Sequence, residues 1–237
     1  MKSSILFVSF IFPALSLAQS TVSQYSPVVS ARELVMPPKA ARALEKGTAL
    51  LRKNNPQASI SYFQAAIALA PDSYYAYHNI ALAHYRVGDV EDAVREFRKS
   101  IELSKGSSAP SLFGLSMIFY QRGEFLQAES LIQRGLLVAP SSALGKYCFA
   151  LVQFSLGQTP GAERSALDAI RLDPALADAD AYLLLARIHE RLNEPDAVVA
   201  DVRSYLKLSR KRTLQADAQA LSARARENLG HFVTAIN

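Results

Sequence analysis

"YYAYHNIALAHYRVGDVEDAVREFRKSIELSK", residues 74–105, decides the fold. Four tyrosines and two histidines crowd its first twelve positions, which raises the question of an active site or a metal site. The stretch is interrupted at Gly88, a residue type that tolerates the left-handed backbone a tight turn after a helix needs. It reads as two helices folded back on each other.

The pattern recurs. Aligned units start near Ala40, Tyr74, Ala109, Ala143 and Ala179, a period of 34 to 36 residues. The eighth position is small throughout: Gly47, Ala81, Ser116, Ala150 and Ala186. The fifteenth is Asn54, Gly88, Gly123, Gly157 and Asn193. The twentieth is Ser59, Ala93, Ala128, Ala162 and Val198, small in the first four. Large apolar residues hold the twenty-eighth (Ile67, Ile101, Leu136, Ile170, Leu206) and the thirtieth (Leu69, Leu103, Val138, Leu172, Leu208). Pro71, Pro140 and Pro174 close three units, where a helix must stop. The spacing predicts helix A over the first fourteen positions and helix B over the eighteenth to the thirty-first. The small residues let A and B approach, and the large ones fill the gaps between hairpins. A single hairpin cannot bury its own apolar faces, so the units must stack.

These five units resemble the tetratricopeptide repeat (TPR) family: small at eight, Gly or Asn at fifteen, small at twenty, aromatic at twenty-four (Phe63, Phe97) and Pro at thirty-two. Lys46, Lys146, Val198 and Tyr205 depart from that pattern. The resemblance implies an all-α, right-handed solenoid of about five hairpins over residues 39–209. Residues 210–237 then supply a capping helix, read over 213–229, and a tail; "SRKR" (209–212) is a solvated turn. It also implies that helix A lines a concave face through positions two, five, nine, twelve and thirteen. On that assignment the partner-binding groove is Tyr75, His78, Leu82, Tyr85, Phe113, Met117, Tyr120, Tyr147, Leu151 and Phe154. Tyr75, Phe113 and Tyr147 are its better candidates, while Tyr85, Tyr120 and Phe154 can equally be core. The fifth unit turns polar, with Asp180, Arg187, Glu190 and Arg191. Family members that grip chaperone carboxylate tails use Lys and Asn where this chain has Leu44 and Thr48, so that activity is not expected.

The chemistry of an enzyme is not visible. His78 and His84 are six apart, about 120° around a helix, and cannot chelate one ion from one face. No phosphate loop or nucleophile elbow occurs. Asp178 and Asp180 read as solvated helix-start residues. The expectation is no catalytic site, no cofactor and no metal. Cys148, the one cysteine, lies among apolar residues and reads as a buried inert thiol. A net charge of +5 is too small to imply nucleic acid.

Residues 1–18 carry Lys2, an apolar run from Ile5 to Ile11, and Ser16 and Ala18 before a cleavage point. They read as a secretory signal peptide, with a retained membrane anchor as the other reading. Residues 19–38, rich in Ser, Val and Pro, read as an extended leader. With cleavage, no later segment spans a membrane. The expected protein is a periplasmic or secreted TPR scaffold that binds a peptide or protein segment in its groove, of unknown oligomeric state. A structural adaptor of an envelope complex, held by its convex face or ends, is the alternative.

Overall fold

The computed structural model describes residues 36–173, 179–208 and 215–236, with side chains over 36–173, 180–208 and 215–227. The expectations for the signal peptide, most of the leader, Pro174, Asp178 and the basic turn lie outside these residues.

The described chain is all helix: α1 (Pro38–Arg52), α2 (Pro56–Leu69), α3 (Tyr74–Val87), α4 (Val90–Leu103), α5 (Ala109–Gln121), α6 (Phe125–Val138), α7 (Ala143–Ser155), α8 (Thr159–Leu172), α9 (Ala179–Leu192), α10 (Pro195–Leu208) and α11 (Gln215–Ile236). Helices pack in consecutive pairs, each second helix also touches the next first helix, and each first helix touches the first helix of the following pair. The result is a TPR-like solenoid. Every B helix spans positions seventeen to thirty, one residue earlier at each end than its spacing suggested. The last helix runs to Ile236, past the expected end at 229.

The turns follow from the fifteenth position. Asn54, Gly88, Gly123, Gly157 and Asn193 all adopt positive φ, between 56° and 95°. That conformation reverses the chain in two residues, and a side chain with a bulky Cβ would be strained there. The eighth and twentieth positions are the crossing points. Ala81, Ala93, Ala128, Ala150, Ala162 and Ala186 are fully buried. At the eighth position of the first unit glycine replaces alanine and the Phe63 ring fills the space over Gly47; elsewhere on an A helix the Phe97 ring lies likewise on Gly114.

One packing expectation is corrected. Four of the five position-thirty residues do not fill gaps between hairpins: Leu69, Val138, Leu172 and Leu208 are exposed, while Leu103 is half-buried. Each is the final residue of its helix, so no following turn covers it. The position-twenty-eight residues are half-buried and do pack on the core.

The core is continuous from α1 to α9, and a second cluster joins α9, α10 and α11. Ala218, Leu221 and Ala225 of α11 cover Leu183, Val198, Val202 and Tyr205, so the last helix shields apolar surface that the fifth hairpin would otherwise expose. Among the described residues no helix is long and apolar enough to cross a membrane.

Candidate functional site

The opening histidine–tyrosine stretch is a structural staple. His78 Nδ1 lies 3.0 Å from Ser111 Oγ, which lies 2.8 Å from Ser100 Oγ and accepts from Ser108 Oγ at 2.8 Å. Ser100 Oγ also donates to the Tyr74 carbonyl at 2.8 Å. The network ties α3 to α4 and α5. A histidine beside a serine suggests a base and a nucleophile, but both are buried, and no substrate could reach them. Burial pushes the His78 pKa down to about 4, so the imidazole is neutral.

His84 behaves differently. Its Nδ1 is 3.5 Å from one Asp89 oxygen and 3.9 Å from one Asp92 oxygen. The three ligand atoms lie within 4.8 Å of one another, a grouping the spacing of histidines alone did not reveal. Asp92 is simultaneously held by Arg95. His189 occupies the same repeat position and faces Asp201 at 2.6 Å, Glu163 at 3.4 Å and Glu194 at 3.8 Å. Asp89 and Glu194 are themselves equivalent. In both units a histidine at position eleven pairs with an acid at position sixteen and fastens the A–B turn.

The residues expected to line a groove divide by depth. His78, Leu82, Phe113, Met117, Tyr147 and Leu151 are buried. Phe113, only 3% exposed, sits where Gly135 and Gly145 lack side chains; a Cβ on either would come within 2.5 Å of the ring. It is a knob joining α5, α6 and α7. Tyr147 is 6% exposed, and burial with Asp180 nearby raises its pKa well above the usual tyrosine value. Asp180 is buried too, not solvated as expected, in a neighbourhood that includes Tyr147 and the half-buried Arg187. Tyr75, Tyr85, Tyr120 and Phe154 keep partial exposure. The depth ranking drawn from position alone is therefore inverted, apart from Tyr75.

The half-buried residues form a ladder that the sequence reading missed. Position twelve of each A helix meets position thirteen of the next. Arg86 donates to the Leu51 carbonyl at 2.9 Å. The Tyr85 side chain hydrogen-bonds Gln121, and burial outweighs this bond to raise its pKa to about 12. Ser155 Oγ lies 3.5 Å from the Tyr120 hydroxyl. Arg191 donates to the Phe154 carbonyl at 2.7 Å and stacks on its ring. Glu190, at position twelve of the fifth unit, continues the series by accepting from Arg224 of α11 at 2.8 Å. The signal was present: residues able to bond or stack stand at positions twelve and thirteen of successive units. The resulting face is aromatic in the middle and charged at the α9–α11 end.

Cys148 is buried, and its thiol pKa is pushed up to about 12 by that burial.

Comparison with known proteins agrees with this architecture. The tetratricopeptide repeat family model matches residues 44–110, 78–145 and 147–212. Tetratricopeptide repeat protein 16 of Macaca fascicularis is 23% identical over 235 residues; the match takes in 94% of this chain and 26% of that protein. The chain thus spans about a quarter of the length of that curated relative. Among solved structures, PilW, a widely conserved type IV pilus biogenesis factor, superposes with a TM-score of 0.70 at 16% identity over 82% of this chain and 87% of PilW. A chain of the Cut9–Hcn1 hetero-tetramer of APC/C gives a TM-score of 0.70 at 19% identity over 90% of this chain and 40% of that one. With the family model covering most of the described residues, this chain belongs to the tetratricopeptide repeat family, whose members are generally non-catalytic scaffolds for protein–protein interaction.

Proposed function

We propose that the chain is an exported scaffold whose concave face takes a peptide or protein segment. The observation that carries the binding face is the run of partly exposed rings Tyr75, Tyr85, Tyr120 and Phe154 on three successive A helices. Much of each ring is already covered, so a partner burying the remainder gains about 1 kcal/mol from each. Four such contacts sum to about 4 kcal/mol, which corresponds to about millimolar affinity, so a tighter complex draws the rest from hydrogen bonds and ion pairs at the polar end. The export half rests on Lys2, the apolar run and the Ser16–Ala18 cleavage pattern.

Two measurements test the reading. N-terminal sequencing of the natively expressed protein should begin at Gln19; a cytoplasmic protein retaining Met1 would overturn export. For the face, benzoylphenylalanine in place of Tyr75 should crosslink a discrete partner in native cells, while the same probe in place of Glu102 on α4 should not. Crosslinking from position 102 alone would sink the concave reading.

A further inference from the structure

A cleft of about 570 Å³ opens between α4 and α6, across α5. Ile101, Leu115 and Phe119 give it apolar walls, and Arg98, Arg134 and Leu126 also line it. Leu115 and Phe119 lie roughly 150° around α5 from Phe113, Met117 and Tyr120, so the cleft is on the B-helix side, away from the concave face.

The outward stripe of α6 is unlike that of α4 at equivalent repeat positions. Where α4 carries Glu91, Arg95, Lys99 and Glu102, α6 carries Leu126, Ser130, Arg134 and Leu137. The α4 charges are mutually satisfied or paired next door: Glu91 with Arg122, Arg95 with Asp92, and Lys99 with Glu102 at 3.0 Å. On α6, Leu126 is 70% exposed and Leu137 is 85% exposed. A solvated helix face has no need of leucines there, and Leu126 extends the apolar wall of the cleft outward from Leu115 and Phe119.

We propose that this cleft docks an acidic peptide segment of a partner protein, with an apolar side chain seated against Phe119 and Leu126 and carboxylates on Arg98 and Arg134. Among the described residues neither arginine has an ion-pair or hydrogen-bond partner. The acids nearby are occupied: Glu102 by Lys99, and Glu129 by Gln158 at 3.4 Å. A guanidinium is planar and pairs with carboxylates through two parallel hydrogen bonds, so two such groups around an apolar recess complement an acidic, apolar-anchored segment. A second copy of this chain would bring a net charge of +5 to a basic rim. A membrane surface is flat, whereas Arg98 and Arg134 flank a recess between α4 and α6.

The test uses the full chain and two fluorescein-labelled peptides, Glu-Leu-Glu-Phe-Leu-Glu-Glu and Lys-Leu-Lys-Phe-Leu-Lys-Lys, followed by anisotropy at low and physiological ionic strength. The acidic peptide should bind and the basic one should not. Arg98→Glu with Arg134→Glu should weaken the acidic peptide at least tenfold with helicity unchanged, and Leu126→Asp should weaken it as well. If the charge reversal unfolds the chain, Arg98→Gln with Arg134→Gln gives the same ordering with a smaller loss. Tyr75→Ala should leave this binding untouched, so failure here is separate from failure of the concave reading. Equal binding of both peptides, or indifference to the arginine substitutions, overturns the proposal. So does arginine-dependent binding to vesicles of three parts phosphatidylcholine to one of phosphatidylglycerol without peptide binding. Self-association abolished by Leu126→Asp, again without peptide binding, assigns the face to a second copy and overturns it too.

Discussion

Phe154 and Arg191 fasten the fourth hairpin to the fifth twice over. The guanidinium carbon lies 3.7 Å from the ring centroid, and Nη1 donates to the carbonyl of the same phenylalanine at 2.7 Å. Arg191→Ala removes both contacts. An exposed cation–π pair and one charged hydrogen bond are together worth about 1–2 kcal/mol. We expect a loss of that size in urea denaturation. Amide exchange should rise in α9 and α10 before α3 and α4; exchange rising uniformly would contradict the assignment.

The A–B crossings leave no spare volume. Ala93 and Ala162 are fully buried, and enlarging a packed core side chain costs ~1–3 kcal/mol. Ala93→Leu and Ala162→Leu should each lower the melting temperature. Gly145→Ala should do so as well, because its Cβ would fall 2.5 Å from the Phe113 ring. Melts matching the parent for all three would mean the helices meet elsewhere.

Acid should act through His78. Its pKa is about 4 folded against 6.5 in the unfolded chain, so between those values the unfolded state binds the extra proton. Stability therefore falls as pH drops through that window, by roughly 3 kcal/mol at its lower end, and above it His78 contributes no pH dependence. His78→Gln should flatten the acid limb of a pH–stability profile. An unchanged limb would place the acid sensitivity in another group.

His189 works with the opposite sign. The hydrogen bond to Asp201 raises its pKa despite burial. Its stabilisation is complete below the unfolded value and is lost as pH rises through the folded one. His189→Gln should thus cost more stability in mildly acid than in alkaline solution; equal loss at both would show the ion pair contributes nothing.

Cys148 should resist chemistry. With its pKa near 12 and its sulfur buried, the thiolate is scarce and inaccessible. Ellman's reagent should leave it unmodified in the native chain and titrate it in guanidinium. Rapid labelling of the native protein would indicate that α7 opens locally.

The hairpins were legible because turn chemistry is local. A residue at position fifteen must adopt positive φ, and only Asn and Gly appear there. Depth was less legible, because it depends on what stands opposite. Phe113 and Tyr85 both sit at positions that face the concave side in related repeats. Phe113 sinks because Gly135 and Gly145, from two other helices, vacate space for it. Tyr85 stays half-exposed because it meets Gln121 at the surface. The α4–α6 cleft was hidden for a different reason. Arg98 and Arg134 look like ordinary solvated charges until the neighbouring acids are seen to be engaged elsewhere.

The twelve-to-thirteen ladder also sets how the solenoid yields under load. Its rungs are unequal. Leu51–Arg86 and Phe154–Arg191 each rest on a guanidinium donating to a carbonyl, at 2.9 and 2.7 Å. Tyr120–Ser155 rests on two neutral hydroxyls 3.5 Å apart. Tyr85–Gln121 is likewise a bond between neutral side chains, so within this ladder the two inner joints are held by weaker bonds than the two outer ones, and under load they are the ones expected to loosen first.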